Sequence, residues 1–596
     1  MKVLLIDLES DSLEPTKIHC IAYKWHKQGD VKILSDSADV DGQLRDIQHL
    51  INEADRVVGH NSCSFDFPVI QKLLGIEVPW DKQFDTFPLC QLLCPQVAEK
   101  SMKISMPNDL KGSHSLKAWG FRLKIYKGDF YGPWETISQE MLDYCKQDIR
   151  TLEAIYDWYL SKNYPEKAVS SEMELAPIIN EMVRHGFKFD FQKAEELYVE
   201  LMDKRFIMKD ELRKVFKPRF VSGGEFIPKS ATNNYTPGCP LTRIEYEEFN
   251  PSSRPQIIDR LVKLYGWKPR SFTEKGNPSI DEDVLTELPY PEAKILDTYF
   301  TIQKRLGQLM EGKQGWMKAT DDTGRIHGKY MQSGTLTGRA THFGPNISQV
   351  PSNRLLYGPE CRKLFTCDSD KVLVGVDMSG LELRCFAGYI KQYDHGAAVQ
   401  SILHGTKENK DDIYSLAATA VNRPRDVGKT LVLAMLYGAA NAKLGWTIDP
   451  LLSEDAARAK GREVRENITT TIEGFEQLDK AVKAKLKVNG YVSGLDDRKL
   501  VPRSDHAALN TLLQSAGAVL SKRWVILLYH ALVKENIKFG FSAYVHDELV
   551  IETSPDIAEK VAEIAISNIK LAGEYYKFPC PLDGEWKIGR NWHDIH

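Results

Sequence analysis

The sequence predicts two unlike halves, an α/β domain over residues 1–162 followed by an α+β region in which long helices surround a few apolar strands. Three observations carry this. A buried strand, Val3–Leu8, and a second ending at Val57-Val58-Gly59 precede a helix around Gln139–Leu160. From about Val169 the apolar period becomes helical, with Met173, Leu175, Ile178, Ile179 and Met182 on one face. Apolar strands return late, at Val372–Val376 and in a hairpin-like Phe541–Ile551.

Between these landmarks the elements follow in order. The helix from Val169 ends at Gly186, with Phe187-Lys188-Phe189 beyond. Lys217 to Arg254 carries Pro218, Gly223-Gly224, Pro228, Pro237-Gly238, Pro240 and Pro251, which is loop chemistry, an exposed excursion or a docking loop. Helices resume at Ile257–Tyr265 and Tyr290–Gln314, and a strand-rich section opens near Ile326. Val372–Val376 leads into a helix from Leu381, residues 391–509 read as mainly helical, and a long helix covers Ala508–Val533.

Composition excludes several classes. At 596 residues the chain has room for roughly four domain-sized units. With 42% hydrophobic and 27% charged residues it is an ordinary globular composition, neither disordered, collagenous nor membranous. No apolar run reaches the roughly 18–20 residues of a spanning helix, and Val3-Leu4-Leu5-Ile6 stops at Asp7, too short for a signal peptide. A cytoplasmic location, without membrane contact, is the expectation. Ten cysteines with no C-x-x-C spacing read as reduced, mostly buried thiols. The net charge of −4 means that any nucleic-acid contact needs local positive charge. Such a run is Lys204, Arg205, Lys209, Arg213, Lys214, Lys217 and Arg219, against Asp210 and Glu211; alone, it would be a solvated helix face.

Two groups of carboxylates stand out. Asp7 and Glu9 are two apart on the first strand, so they project to one face. Asp66 follows the second strand in His60-Asn61-Ser62-Cys63-Ser64-Phe65-Asp66, while Tyr144 and Asp148 share a helix face at i, i+4. Each acid alone would be a surface carboxylate. Together, four acids and a phenol are the inventory for two hard divalent cations, Mg²⁺ or Mn²⁺, at an in-line phosphodiester displacement, with the Tyr144 hydroxyl orienting the water.

In the second group Asp377 ends the strand Val374-Gly375-Val376, and Asp547 sits at the turn of Tyr544-Val545-His546-Asp547-Glu548-Leu549-Val550. Acids so placed can meet across a sheet and hold two cations against a triphosphate, with Glu548 a further ligand or a support. Arg425, Lys429, Leu433 and Tyr437 recur every four residues as one helical stripe. Its two cations suit a polyphosphate, and Tyr437 offers an aromatic face for a base. An ordinary solvated cationic face capped by Gly438 is the plainer alternative.

The ordered set Asp-x-Glu, Asn-x₄-Asp and Tyr-x₃-Asp resembles the proofreading 3′–5′ exonuclease domain of family A DNA polymerases and related ribonucleases. Asp377-x-Ser-x-x-Glu382-x-Arg384, Arg425-x₃-Lys429-x₇-Tyr437-Gly438 and Val545-His546-Asp547-Glu548 resemble motifs A, B and C of family A (Pol I-like) DNA polymerases, of the replicative type of short-tailed phages. Thr335–His342 with Pro345-Asn346, and His506–Gly517, are further matching blocks. The resemblance implies an α/β exonuclease domain (ribonuclease H-like) over 1–162 and an α+β right-hand polymerase domain. In the latter the thumb would be 163–320, the palm 321–390 and 510–596, and the fingers 391–509. No 5′-nuclease domain is expected ahead of Asp7.

The resemblance also implies roles. Asp7, Glu9, Asp66 and Asp148 would be exonuclease metal ligands, with Tyr144 positioning the nucleophile. Asp377 and Asp547 would bind two Mg²⁺, with Mn²⁺ able to substitute. Arg425 and Lys429 would hold the incoming dNTP, and Lys429 would protonate the leaving pyrophosphate. Glu382 would lie under the sugar and exclude a 2′-hydroxyl. Arg339, Gln514 and His546 would touch the minor groove of the primer-template, whose acceptors occur in every base pair. Lys204, Arg205 and the rest of the basic run would neutralise duplex phosphates from the thumb. A replicative helicase-primase is a further implied partner.

Three departures qualify this. Leu433 stands where the family usually has Phe or Tyr against the sugar and base, so dideoxynucleotide discrimination does not carry over. Asp412-Ile413-Tyr414 replaces Asp-x-His, which puts Tyr414 in the place of a phosphate donor. The Lys217–Arg254 stretch is short where the best-known phage relatives carry a long basic insertion that recruits thioredoxin, so a thioredoxin partner is not expected. Two other readings compete: a single-subunit RNA polymerase, opposed by the N-terminal nuclease motifs and Glu382, and a 3′–5′ nuclease with a non-catalytic nucleic-acid clamp. The clamp reading predicts lost motif acids, yet Asp377, Asp547, Arg425 and Lys429 are all present.

Overall fold

Alternation in Val3–Ser10 gives this strand two buried faces, Val3 and Leu5 on one and Leu4, Ile6 and Leu8 on the other. It therefore lies at the centre of a five-stranded sheet. The computed structural model describes residues 1–37, 42–126, 128–232, 235–269, 271–273 and 275–596. Strand order is Gln28–Leu34, Ile18–Trp25, Val3–Ser10, Arg56–Gly59, Gln83–Asp85, with the first pairings antiparallel and the last two parallel. The helix Gln139–Leu160, capped by the Ser138 side chain, covers one face through Cys145, Ile149 and Leu152. Helices Ile47–Glu53 and Asp66–Leu74 cover the other.

The helix Glu166–His185 leads out of this domain and packs on the long helix Ala508–Lys534 and the strand Phe539–Val545. Its apolar residues Leu175, Ile178, Ile179 and Met182 join the largest core. Glu172, on the same helix, is fully buried. Its Oε1 accepts from Lys522 Nζ at 2.6 Å and Arg498 Nη2 at 3.0 Å, and its Oε2 from Gln332 Nε2 at 2.6 Å. Arg498 also bonds Asp496, and Lys522 donates to Ser333 Oγ at 3.0 Å. Burial opposes the charge on Glu172, but Lys522 and Arg498 hold its carboxyl below the ordinary value.

The second sheet is antiparallel, in the order Phe539–Val545, Glu548–Thr553, Val372–Met378, Gly584–Gly589. The helix Ala558–Tyr575 packs on it, and Trp524 Nε1 of the long helix donates to Ala565 O at 3.0 Å. By length and composition the long helix is apolar enough to cross a membrane, contrary to the expectation from apolar runs, but most of it is buried as core. Six helices of eight or more residues occupy 397–489. The ten cysteines are free, and all but Cys94 and Cys239 are buried.

The Lys217–Arg254 stretch corrects the loop expectation. Arg219–Phe226 and Leu241–Glu247 pair as an antiparallel ribbon; residues 233 and 234 lie outside the described residues. Its prolines fall between and beyond the strands, which is where a strand pair tolerates them. The helix expected to reach Gln314 runs over Pro291–Leu306 and widens into a π turn, Gly307–Glu311, where it stops.

Replacing Glu172 with Met leaves Lys522 buried without its acid, and the unfolding free energy in denaturant should fall by about 3–5 kcal/mol. Adding Lys522→Met should restore part of that loss. An unchanged midpoint for Glu172→Met would show that the network does not hold the fold.

Candidate active sites

The first site forms where Val3–Ser10 emerges from its sheet. Asp7, Glu9 and Cys145 bring ligand atoms within 4.8 Å of one another. Cys145 Sγ lies 3.6 Å from Asp7 O and 3.8 Å from Asp7 Oδ2, which fixes helix Gln139–Leu160 against the strand. Burial pushes the Cys145 thiol well up, so it faces these acids as a neutral donor. Leu8 N donates to Asp66 Oδ1 at 3.1 Å, drawing the first residue of helix Asp66–Leu74 between Asp7 and Glu9. Burial and the Asp7 charge raise the Asp66 carboxyl well above its ordinary range. Asp148, buried, lies one turn beyond Cys145, and the Tyr144 ring packs on Phe130 at 5.8 Å.

Sequence reasoning missed Asp85. Its carboxylate accepts from Asn61 N at 2.7 Å, Cys63 N at 3.1 Å and Phe87 N at 2.9 Å, bending the chain so that Asp66 reaches the first strand. Asn61 takes a φ of +61° in that bend. Burial raises Asp85 to about 6. The Asp85-Thr86 pair ahead of an apolar helix was the available signal, an N-cap.

The second site is built by strand register. Asp377 pairs with Glu548 on one side and Glu585 on the other, and Met378 N donates to Asp547 O at 3.1 Å, so the Asp547 turn abuts the end of Val372–Met378. His546 makes the turn at φ +61°. Asp377 still touches solvent, yet lost hydration and then Asp547, Glu548, Glu585 and Glu382 push it up to about 8. Burial and Glu382 push Asp547 up to about 6. Glu548 accepts from Trp592 Nε1 at 2.7 Å and pairs with His596 Nδ1 at 3.4 Å, so it is engaged by the last residues of the chain.

The expected stripe is the helix Arg425–Leu436, with Tyr437 at its C-cap. Arg425 is gripped by Asp412, its Nη2 at 2.9 Å and Nε at 3.1 Å, and Asp412 in turn caps helix Ile413–Ala420. The Tyr414 ring lies 5.3 Å from the Arg425 guanidinium and 5.8 Å from Lys429 Nζ, so both cations pack on one aromatic ring. Leu433 is half-buried between these and Tyr437. The Tyr437 hydroxyl donates to Glu382 Oε1 at 2.8 Å, and Arg339 Nη2 donates to the same oxygen at 3.0 Å.

Arg339, Gln514 and His546 line one cleft of about 760 Å³, whose far wall is Pro95–Glu99 of the N-terminal domain. The Arg339 loop is tied down: Gly338 has φ +79°, and a Cβ there would collide with Arg498 Nη1. The basic run is narrower than its sequence suggests. Lys204 pairs with Glu200, Arg205 with Glu311, Arg213 with Glu248, and Arg219 with Glu247 and Asp259. Four of its seven cations are thus paired within the chain.

Both sites present carboxylate oxygens crowded against one another, a donor set suited to hard divalent cations. A family model described as DNA polymerase family A matches residues 241–594, and one described as RNase_H superfamily matches residues 4–160. The chain is 30% identical to the DNA-directed DNA polymerase of Enterobacteria phage T3 over the full length of both chains. It is equally similar, at 30% over both full lengths, to that of Escherichia phage T7. A solved structure of the POL domain of Pol1 from M. smegmatis, in complex with DNA primer-template and dNTP, aligns with a TM-score of 0.74 at 16% identity, covering 99% of this chain and 96% of that one.

The raised Asp377 carboxyl has a consequence for stability. A group whose folded pKa lies above its unfolded value of 3.8 favours folding at low pH, and the benefit is lost as pH rises towards about 8. In chelator, the thermal midpoint should therefore fall between pH 5 and pH 8, and Asp377→Asn should flatten that fall. Equal pH dependence in parent and variant would contradict the crowding.

Proposed function

The chain belongs to DNA polymerase family A and is a DNA-directed DNA polymerase preceded by an RNase H-like exonuclease domain, and from that premise we propose how its residues divide the work. The carrying observation is the strand register that brings Asp377 to the Asp547 turn, with Glu382 tethered nearby by Arg339 and Tyr437.

Asp377 and Asp547 hold two divalent cations, Mg²⁺ or Mn²⁺, which when bound supply Lewis acidity to the primer 3′-hydroxyl and neutralise the triphosphate. Arg425, oriented by Asp412 and the Tyr414 ring, clamps phosphate oxygens, and Lys429 beside it gives a proton to the departing pyrophosphate. The tethered Glu382 carboxylate lies under the sugar, where its fixed position leaves no room for a 2′-hydroxyl. Arg339, Gln514 and His546 follow the minor groove of the new duplex, testing pair shape without reading sequence. In the N-terminal domain Asp7, Glu9, Asp66 and Asp148 hold cations of the same class, and Tyr144 orients the water that cleaves the terminal phosphodiester. In this reading the thumb is residues 163–320, the palm 321–390 and 510–596, and the fingers 391–509. Full-length likeness to the phage T3 and T7 enzymes supports a replicative role on phage DNA.

A 5′-labelled primer on a DNA template separates the activities: extension with dNTPs, shortening without them. Asp547→Ala should abolish extension alone and Asp7→Ala shortening alone. Shortening by the parent in both conditions would favour the nuclease-plus-clamp reading. Glu382→Ala should raise ATP relative to dATP incorporation by at least about tenfold, the effect of losing a well-placed steric and polar contact. Saturating thioredoxin should leave product length on a singly primed template unchanged.

A further inference from the structure

Glu548, next to Asp547 in the chain, faces the polymerase acids while its carboxylate is tied elsewhere. It pairs directly with Asp377 across the sheet, and opposed residues of antiparallel strands project to one face with Cβ atoms about 4.5–5.5 Å apart. Burial, then Asp547 and then Glu548 raise the Asp377 carboxyl, so the Glu548 charge is felt at the cation site. The side chain is not loose. Trp592 Nε1 donates to its Oε1 at 2.7 Å, and His596 Nδ1 lies 3.4 Å from the same oxygen. Among the described residues its other oxygen, Oε2, takes no hydrogen bond, and 10% of the side chain stays exposed.

Trp592 is fixed from several sides. Its backbone N–H donates to Phe365 O at 2.8 Å, and its ring lies 5.4 Å from Phe187 and 5.6 Å from Phe365. The Arg362 guanidinium sits over the indole at 4.9 Å, and Arg362 Nε donates to Pro351 O at 3.0 Å. The indole is buried, and its N–H has one acceptor, Glu548. The same segment is seated against the catalytic strand. Ile595 lies so close to Gly375, two residues before Asp377, that a Cβ on Gly375 would come within 2.9 Å of it. A rigid donor on one oxygen of a carboxylate sets the place of the other oxygen, which is how the partners of metal-binding carboxylates raise the affinity of a site.

We propose that Trp592 is a positioning residue of the polymerase site: by holding Glu548 Oε1 it keeps Glu548 Oε2 turned to the cations that Asp377 and Asp547 take. The inference rests on the assignment of those two acids, and deepens it. Glu548 then supplies a third carboxylate oxygen, the donor class that hard divalent cations prefer. His596 is the weaker of the two anchors, at the longer distance and with 35% of its side chain exposed.

The test is Mn²⁺ binding, followed by electron paramagnetic resonance, in the full chain carrying Asp7→Ala, so that the polymerase site is read apart from the exonuclease site. Trp592→Phe keeps a ring in the packing and removes the donor. It should weaken Mn²⁺ binding by about 10-fold, the effect of losing a partner that orients a ligand, and Glu548→Gln should weaken it by a similar factor. Combined with Glu548→Gln, the Trp592→Phe change should add nothing, because the carboxylate it acts through is gone. His596→Ala, at a side chain the packing does not need, should weaken binding by about 3-fold and gives a second variant should Trp592→Phe fold poorly. The Mg²⁺ concentration for half-maximal primer extension should rise in step with each loss. Equal weakening by Trp592→Phe with and without Glu548→Gln would make its effect structural, and the inference falls. If Trp592→Phe and His596→Ala bind Mn²⁺ as the parent does while Asp547→Ala loses it, the inference falls and the assignment of the two acids stands. If Asp547→Ala also binds as the parent does, both fall.

Discussion

Carboxylates withdrawn from water beside other acids are the constraint on which this molecule's two sites depend. They gather at two places, each at the end of a strand. Asp66 is raised by burial and by Asp7, Asp377 by burial and by four acids, and Asp547 by burial and Glu382. Arg339 bonds one acid of the second cluster, Glu382, and Arg425 is taken up by Asp412. Such an arrangement costs stability unless a divalent cation shares it, and the surrounding structure must be rigid enough to bear the strain.

Rigidity comes from two kinds of bonding. Strand register sets the second cluster, since Asp377 cannot move without shifting its pairings to Glu548 and Glu585. The buried Glu172 network links the helix leaving the first domain to the long helix through Lys522, to Arg498, and through Gln332 and Ser333 to the loop that carries Arg339. Ser333 N also donates to Gln91 Oε1 of the N-terminal domain at 3.2 Å. The loop at the polymerase cleft is thereby fastened to both halves of the chain.

The clustered acids were legible as a pattern because their spacing is geometric: two apart on a strand, four apart on a helix, or at a turn between apolar strands. The order of those motifs made the fold class readable as well. What escaped was whatever depends on distant partners. Asp85 shapes the Asp66 bend through backbone amides, and Asp412 orients Arg425 across a turn; neither has a periodic signature. Glu172, Arg498 and Lys522 carry charges that read as surface until their partners are known. The strands Ile18–Trp25 and Gln28–Leu34 went unread, and the pair Arg219–Phe226 and Leu241–Glu247 passed for a loop because prolines and glycines crowd that stretch.

The most direct test of the account is a count of bound Mn²⁺ by electron paramagnetic resonance in titrations of the parent, Asp7→Ala and Asp547→Ala proteins. Two independent carboxylate centres predict that each variant loses only the cations of its own site, and that the parent's total equals the sum of the two. Loss of all binding in one variant, or of none in either, would contradict the claim that the two crowded clusters are separate cation sites.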